Sequence, residues 1–323
     1  MPESIPMAPT IFIDGQAGTT GLEIRDRVAA RSDLELLEID PSRRKDPAAR
    51  AELLAAADLA ILCLPDDAAR EAVQLAGPAT RLIDASTAHR VAGDWVYGLP
   101  ELAARQREAI RQAECVSNPG CYPTCTSLLL RPLVDAEMIA PTTPITLHAL
   151  SGYTGGGRSL IERWEDPEGG LLSLPYEAPY ALERVHKHVP EMTRYARLEH
   201  SPQFIPAVGP FPRGMRVEIP LHARLLPPGL GAKAIWEALR ARYVEEPFVR
   251  VVPFEDPVRT HERSFDPTAC NGTNRVDLHV AGNPAGHVLL VAIIDNLGKG
   301  AAGAALQNLN LMLGLSEQTG LSG

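Results

Sequence analysis

A five-residue apolar run, Thr10–Asp14 (TIFID), leads directly into Gly15-Gln-Ala-Gly18-Thr-Thr-Gly21, and residues 22–30 then mix leucine, isoleucine and alternating charge. A short apolar stretch closed by glycine suits a buried parallel strand, and the residues after it suit a helix. Strand, glycine turn and helix together open a dinucleotide-binding unit, because glycines let the backbone approach a pyrophosphate at a helix N-terminus. The spacing departs from the common GxGxxG, so its position after the first strand carries the argument. It marks Gly15, Ala17, Gly18, Thr19, Thr20 and Gly21 as candidate cofactor contacts.

The alternation continues, with strands expected at residues 34–39, 58–64 and 81–84 and helices at 47–57 and 66–76. Strands separated by helices of this length imply right-handed crossovers and a parallel sheet. Beyond Met138 prolines and glycines increase, and longer strands are expected at 144–151, 214–225, 274–281 and 287–295, with Gly282-Asn-Pro-Ala-Gly286 as a turn. The expected fold class is therefore α/β: a Rossmann-type doubly wound parallel sheet plus a second α+β domain with a mixed or antiparallel sheet. Residues 1–120 are expected to form an NADP-binding domain, completed by a C-terminal helix within 298–323. Residues 121–297 are expected to form a catalytic and oligomerisation domain, whose apolar sheet could pair subunits. A length of 323 residues suits two domains.

Asp40 ends the second strand, about 20 residues beyond the glycine turn, where an acidic residue would hold the ribose hydroxyls of NAD. Ser42, Arg43 and Arg44 come directly after it. A hydroxyl beside guanidinium groups suits a 2′-phosphate, which favours NADP(H), although a solvated basic loop with Asp40 capping a turn fits the same letters. Pro65, in Leu64-Pro65-Asp66-Asp67, stands at the carboxyl edge where nucleotides lie; Asp66 is either a ligand contact or the N-cap of the next helix.

The net charge of −9 argues against nucleic acid or an anionic membrane as partner, and no run approaches about 18 apolar residues. Residues 1–10 lack a basic stretch followed by an apolar one, so a cytoplasmic location is expected. Five cysteines, without paired CxxC spacing, suit a reducing compartment, and no metal site is expected. The CxxxC pair Cys121 and Cys125 is completed by no histidine or cysteine cluster. Cys121 lies in Ser117-Asn-Pro-Gly-Cys-Tyr-Pro-Thr124, ahead of an expected helical run at 125–138, and Pro123 suits the first helical turn, which places Cys121 just before the helix N-terminus. A helix N-terminus stabilises thiolate, which makes Cys121 the candidate nucleophile, whereas Cys63 reads as a buried inert thiol.

Asn118-Pro-Gly-Cys-Tyr-Pro-Thr124 and the glycine turn resemble the N-acetyl-γ-glutamyl-phosphate reductases of arginine biosynthesis, in the semialdehyde dehydrogenase superfamily. Asp84-Ala-Ser-Thr-Ala-His-Arg90, Tyr97-Gly-Leu-Pro-Glu101, Ser151-Gly-Tyr-Thr-Gly-Gly-Gly-Arg158, His186-Lys-His-Val-Pro-Glu191 and Asp295-Asn-Leu-Gly-Lys-Gly300 agree, in the form of the family's shorter type. The resemblance implies attack of Cys121 on an acyl phosphate, departure of inorganic phosphate, and reduction of the thioester by NADPH. It marks the segment with His186 and His188 as the acid/base; His188 is preferred, His186 is the substitute, and Glu191 sits close enough to orient the imidazole. Asn118, Ser151, Gly152 and Arg158 become candidate substrate contacts, Arg158 as the anion-binding cation, and Ser86 and Asn296 candidate cofactor contacts, Asn296 near the nicotinamide. The remaining histidines, His261 among them, read as non-catalytic, with His89 and His148 intermediate.

Three other readings stay open. Aspartate-semialdehyde dehydrogenases share the fold plan and the cysteine chemistry. An aminoadipyl phosphate is one methylene longer, a difference worth only about 1–3 kcal/mol in binding. A non-catalytic NADP-binding redox sensor would leave the histidine segment and the GGGR loop without a role.

Overall fold

The structure, a computed structural model, describes residues 8–77, 80–254 and 264–323, so His261 and the first seven residues lie outside the described residues. The chain divides into two compact units. The first comprises Met1–Gly98, Arg107–Asn118 and Ala305–Gly320; the second comprises Leu99–Gln106, Pro119–Ala304 and Leu321–Gly323.

In the first unit the strands are β1 (Thr10–Asp14), β2 (Glu35–Leu37), β3 (Leu59–Leu62), β4 (Arg81–Asp84), β5 (Val96–Tyr97) and β6 (Cys115–Ser117). They form one sheet in the order β2-β1-β3-β4-β6-β5, with every neighbouring pair parallel. Crossover helices are α1 (Thr19–Ala29), α2 (Pro47–Ala56), α3 (Asp66–Ala76) and α4 (Gln106–Gln112). A parallel strand is covered on both faces and needs a continuous apolar run; Ile11, Phe12 and Ile13 of β1, and all four residues of β3, are fully buried. Small residues let the helices approach closely: α3 turns Ala69, Ala72 and Ala76 inward. α2 starts where Asp46 accepts from the Ala48 N–H and Pro47 opens the first turn.

β2 is shorter than the expected 34–39. It is an edge strand held by β1 alone, and Asp40 draws the chain off the ladder by accepting from the N–H and Oγ of Ser42, at 2.8 and 2.7 Å. Asp40 therefore does not end a strand. β5 and β6 span two and three residues, too short to leave a periodic signal in the sequence.

The second unit carries β7 (Thr146–Gly152), β8 (Ala178–Pro179), β9 (Gln203–Gly209), β10 (Met215–Leu221), β11 (Val249–Val251), β12 (Val276–Gly282) and β13 (Val288–Ile294), ordered β11-β12-β13-β10-β7-β9-β8. The sheet is mixed: β11/β12 and β7/β9 run parallel and the other neighbours antiparallel. The turn at 282–286 closes the β12–β13 hairpin, with Gly286 N–H donating to Asn283 O. Helices α5 (Cys121–Asp135), α6 (Arg158–Glu165), α7 (Val189–Tyr195) and α8 (Ala232–Tyr243) complete the unit, and α5 packs on β13, α7 and α8.

The segment expected as one helix from Gly298 instead opens with a π-helical turn, Gly298–Ala302, before α9 (Gly303–Met312). The turn, with the residue that caps it, is packed closely enough that two of its positions require glycine. A Cβ at Gly298 would stand 2.4 Å from the Thr273 carbonyl oxygen, and one at Gly303 2.3 Å from Asn274 Oδ1.

Candidate active site

In the second unit, Gly120 is the N-cap of α5 and Cys121 its first residue. The helix begins four residues before the expected run 125–138, with Pro123 in its first turn as expected, where its missing N–H costs nothing, and with Cys121 inside the helix rather than just ahead of it. The half-buried thiol thus sits at the positive end of a fifteen-residue helix. Thr124 donates to the Gly120 carbonyl through both its N–H and its Oγ1, each at 2.9 Å. Glu191, 2% exposed, reaches in from α7 and accepts from the Gly120 N–H at 2.8 Å. The expectation for Glu191 concerned His188; the bond to Gly120 braces the turn that presents the thiol.

Around Tyr122 the rings of His186, His188 and Phe204 meet edge-on at centroid distances of 5.8, 5.7 and 4.9 Å. The Tyr180 hydroxyl lies 3.2 Å from that of Tyr122 and 3.4 Å from His186 Nε2. His186 Nδ1 accepts from the His188 N–H at 3.1 Å, which fixes its tautomer with the proton on Nε2. Burial, aided by the positive charges of Lys187 and Arg184, pulls the His186 pKa down to about 4. A ring so hard to protonate, with one nitrogen already accepting, suits orientation better than proton transfer. His188, 8% exposed, is the N-cap residue of α7.

Ser151 and Gly152 end β7, and Gly152 is pressed against the Pro212–Arg213 backbone, 2.6–2.7 Å from where a Cβ would sit. Asn296 is buried; its Oδ1 accepts from the Gly214 N–H at 2.8 Å and its Nδ2 donates to Thr154 Oγ1 at 3.3 Å. Arg158 opens α6 with its side chain 79% exposed, paired to Glu162 at 2.8 Å. An exposed pair of this kind is worth under about 1 kcal/mol and is readily exchanged for another anion.

In the first unit, Gly15 has φ +89°, and a Cβ there would stand 2.3 Å from the Cys63 carbonyl oxygen; one at Gly21 would stand 2.5 Å from the Gly15 oxygen. Gly18, by contrast, is exposed, and a Cβ on it meets nothing nearer than 3.6 Å. It caps α1 with no side-chain hydrogen bond, leaving a bare helix N-terminus beside Ala17, Thr19 and Thr20. This cradle fits a pyrophosphate. Ser42, Arg43 and Arg44 are all exposed; Ser42 is tied to Asp40, and Arg43 pairs with Asp46 at 3.0 Å. Pro65 caps α3. Asp66 is the first helical residue rather than the cap, and its carboxylate accepts from Thr87 N–H and Oγ1 at 3.0 and 2.6 Å. Ser86 donates its hydroxyl to Asp84 at 2.7 Å, and His89 lies 2.6 Å from the same carboxylate. Asn118 is held by Asn308 Nδ2 at 3.1 Å, and its N–H donates to the Asp84 carbonyl.

Comparison with known proteins decides the family. Residues 21–113 match the semialdehyde dehydrogenase NAD binding domain and residues 121–296 the semialdehyde dehydrogenase dimerisation domain. A protein from Nostoc sp. called N-acetyl-gamma-glutamyl-phosphate reductase 2 is 50% identical over 97% of this chain and 99% of its own length; the Burkholderia cenocepacia N-acetyl-gamma-glutamyl-phosphate reductase is 49% identical over 95% and 98%. The chain belongs to the semialdehyde dehydrogenase family, among the N-acetyl-γ-glutamyl-phosphate reductases. Solved aspartate semialdehyde dehydrogenases share the fold of this reductase family at low identity: that of Francisella tularensis with TM-score 0.70 and 15% identity, covering 94% of this chain and 100% of its own, and form II of Vibrio cholerae with 0.67 and 14%, covering 95% and 98%.

The other cysteines of this reductase are held protonated. Burial pushes Cys63 up to about 12, helped by Asp84 and Asp14, and Cys270 to about 12; Cys115 and Cys125 are raised in the same way. Two residues beside the thiol went unforeseen. Tyr180 has no sequence signal, lying in an irregular stretch. Gly300 was visible only as part of a motif, yet a Cβ there would stand 2.8 Å from the Cys121 Cβ. Among the described residues no helix is long and apolar enough to cross a membrane.

Proposed function

We propose that this chain reduces N-acetyl-γ-glutamyl phosphate to N-acetylglutamate 5-semialdehyde with release of phosphate, using NADPH, as a step of arginine biosynthesis. The observation that carries the reading is Cys121 as the first residue of α5, with Glu191 accepting from the N–H of the preceding Gly120 and the His186 and His188 rings against the following Tyr122. The Cys121 thiolate attacks the acyl carbon, the C–O bond to phosphate breaks, and a thioester remains on Sγ. The thioester holds the acyl group in activated form once phosphate has left, and accepts hydride more readily than the carboxylate that hydrolysis would give. When bound, the nicotinamide cofactor supplies that hydride. Collapse of the resulting tetrahedral centre returns the thiolate and frees the aldehyde, with His188 taking and giving the proton.

The Gly15–Gly21 turn holds the pyrophosphate and Pro65 and Ser86 line the nucleotide. Ser42, Arg43 and Arg44 bind a 2′-phosphate by exchanging exposed partners, which favours NADP(H) over NAD. Asn118, Ser151, Gly152 and Arg158 orient the substrate, Arg158 giving up Glu162 for its anionic end, and Asn296 acts near the nicotinamide. The first unit is the NADP-binding domain, and the second, matched as a dimerisation domain, pairs subunits into a homo-oligomer. The place of work is the cytoplasm.

The test is phosphate-dependent reduction of NADP by the purified protein, offered N-acetylglutamate semialdehyde beside its aminoadipate and aspartate counterparts, with Cys121→Ser as control. The expected result is the highest kcat/KM for the glutamate compound and none in the variant. Turnover without phosphate, or retained by the variant, refutes the mechanism.

A further inference from the structure

Glu101 and Lys299, to which the proposed reaction gives no role, meet inside the second unit. Lys299 Nζ lies 2.7 and 2.9 Å from the two carboxylate oxygens of Glu101, and both side chains are fully buried. The Phe248 ring stands 5.8 Å from the ammonium, and Arg242 donates to the Glu101 main-chain carbonyl. A buried ion pair is a poor way to gain stability, because desolvating both charges offsets their attraction, and apolar side chains of similar volume often serve as well or better. What a bidentate pair does supply is a fixed position.

The position it fixes is that of the π-helical turn Gly298–Ala302. That turn is closed by wide bonds, Gly300 N–H to Asp295 O at 3.0 Å and Ala302 N–H to Leu297 O at 2.9 Å. π-Turns are rare and concentrate at functional sites. Both this turn and the 3₁₀ turn Pro100–Leu102 that carries Glu101 pack on α5. The residue after Lys299 stands against Cys121: a Cβ at Gly300 would meet Cys121 Cβ at 2.8 Å and Cys121 Cα at 3.5 Å.

We infer that Lys299 and Glu101 are positioning residues: their buried pair seats Gly300 against Cys121 and so sets where the nucleophile stands. The inference rests on Cys121 as the nucleophile. Displacement of a reacting group by about 1 Å can cost 100-fold in rate, so the pair acts on kcat without touching substrate.

The experiment compares native protein with Lys299→Met, Glu101→Leu, their double variant and Gly300→Ala, reading Tm, kcat, both KM values and the pH profile of Cys121 alkylation by iodoacetamide. Each single variant of the pair is expected to lose both stability and kcat, since it strands one buried charge. The double variant is expected to regain most of the Tm while kcat stays at least about 10-fold down, KM values stay within about twofold, and the alkylation profile stays displaced. Recovery of kcat and of the native profile in the double variant overturns the proposal, because the pair would then be a stabiliser and nothing more. Should the double variant fail to fold, Gly300→Ala keeps the pair and presses on Cys121; a displaced profile with lowered kcat supports the proposal, and native values overturn it. Native protein that still turns over with Cys121 fully alkylated refutes the nucleophile itself, whatever the variants do.

Discussion

The three glycines of the first turn look equivalent in the sequence and are not equivalent in space, which allows their structural and binding roles to be separated. Gly15→Ala forces a side chain onto φ +89°, costing about 1–2 kcal/mol, and drives a methyl to 2.3 Å from the Cys63 oxygen, an overlap worth about 1–3 kcal/mol more. Gly21→Ala meets the Gly15 oxygen at 2.5 Å and costs about 1–3 kcal/mol from overlap alone. Gly18→Ala meets only an ordinary contact at 3.6 Å with φ −78°, and should be nearly neutral, the about 0.4–1 kcal/mol gained from a less flexible unfolded chain being offset by alanine's poor fit at a helix N-cap. At roughly 2 °C per kcal/mol for a chain of this size, the first variant should melt about 4–10 °C lower and the third no lower than native. Calorimetry ranks stability, and initial rates at varied NADPH rank affinity. If Gly18 is where the backbone approaches the pyrophosphate, its methyl should raise the NADPH KM by about 10-fold or more, about 1.4 kcal/mol, at unchanged Tm. A Gly21→Ala protein as stable as native refutes the packing argument; a Gly18→Ala protein with native KM refutes the pyrophosphate at that turn.

Cys125→Ser replaces a fully buried thiol that takes no part in the chemistry, so most of the turnover should survive in rate assays, whereas Cys121→Ser should retain none. Glu191→Ala should strand the buried Gly120 N–H at about 1–3 kcal/mol and lower kcat, while Glu191→Gln, which keeps an acceptor, should recover most of the Tm. Arg158→Ala should raise the acyl-phosphate KM several-fold with kcat nearly unchanged; an unchanged KM removes this arginine from the site. His186 has its pKa lowered from 6.5 to about 4 in the folded chain, so on acidification the unfolded chain takes up the proton first. Its effect on stability is absent above about pH 6.5 and grows unfavourable as pH falls toward 4. Denaturant titrations at pH 7 and 4.5 should show a smaller acid loss for His186→Gln than for native protein, and an equal loss would refute the assignment.

What the sequence made legible follows the length of its signals. β1 and β4 are buried in all but their first residues and α3 is a clean amphipathic stretch, and they lie where the apolar pattern placed them. The ends were harder: Asp40 looks like a strand terminus until its carboxylate is found turning the chain through Ser42, and α5, whose first turn Pro123 marks, takes in Cys121, which the sequence places just ahead of it. β5, β6 and β8 are too short for periodicity and exist because neighbouring strands offer them a ladder. The nucleophile was legible because a cysteine between glycine and proline at a helix start has few structural uses.

The supports of that nucleophile were not legible, and the reason is physical. A bond such as Glu191 to Gly120 or Lys299 to Glu101 joins residues 71 or 198 positions apart, and no local pattern encodes such a pair. Sequence marks the residues that do chemistry, since thiols, imidazoles and glycine turns have local requirements. It hides the residues that hold them, since any acceptor at the right point in space would serve. Gly300 falls between these cases: its lack of a side chain is visible, but the need for it appears only once Cys121 is found against its Cα. Glycines in turns that face a reactive side chain are therefore the place where a local letter reports a long-range contact, and Gly300→Ala is the substitution in which that link can be measured.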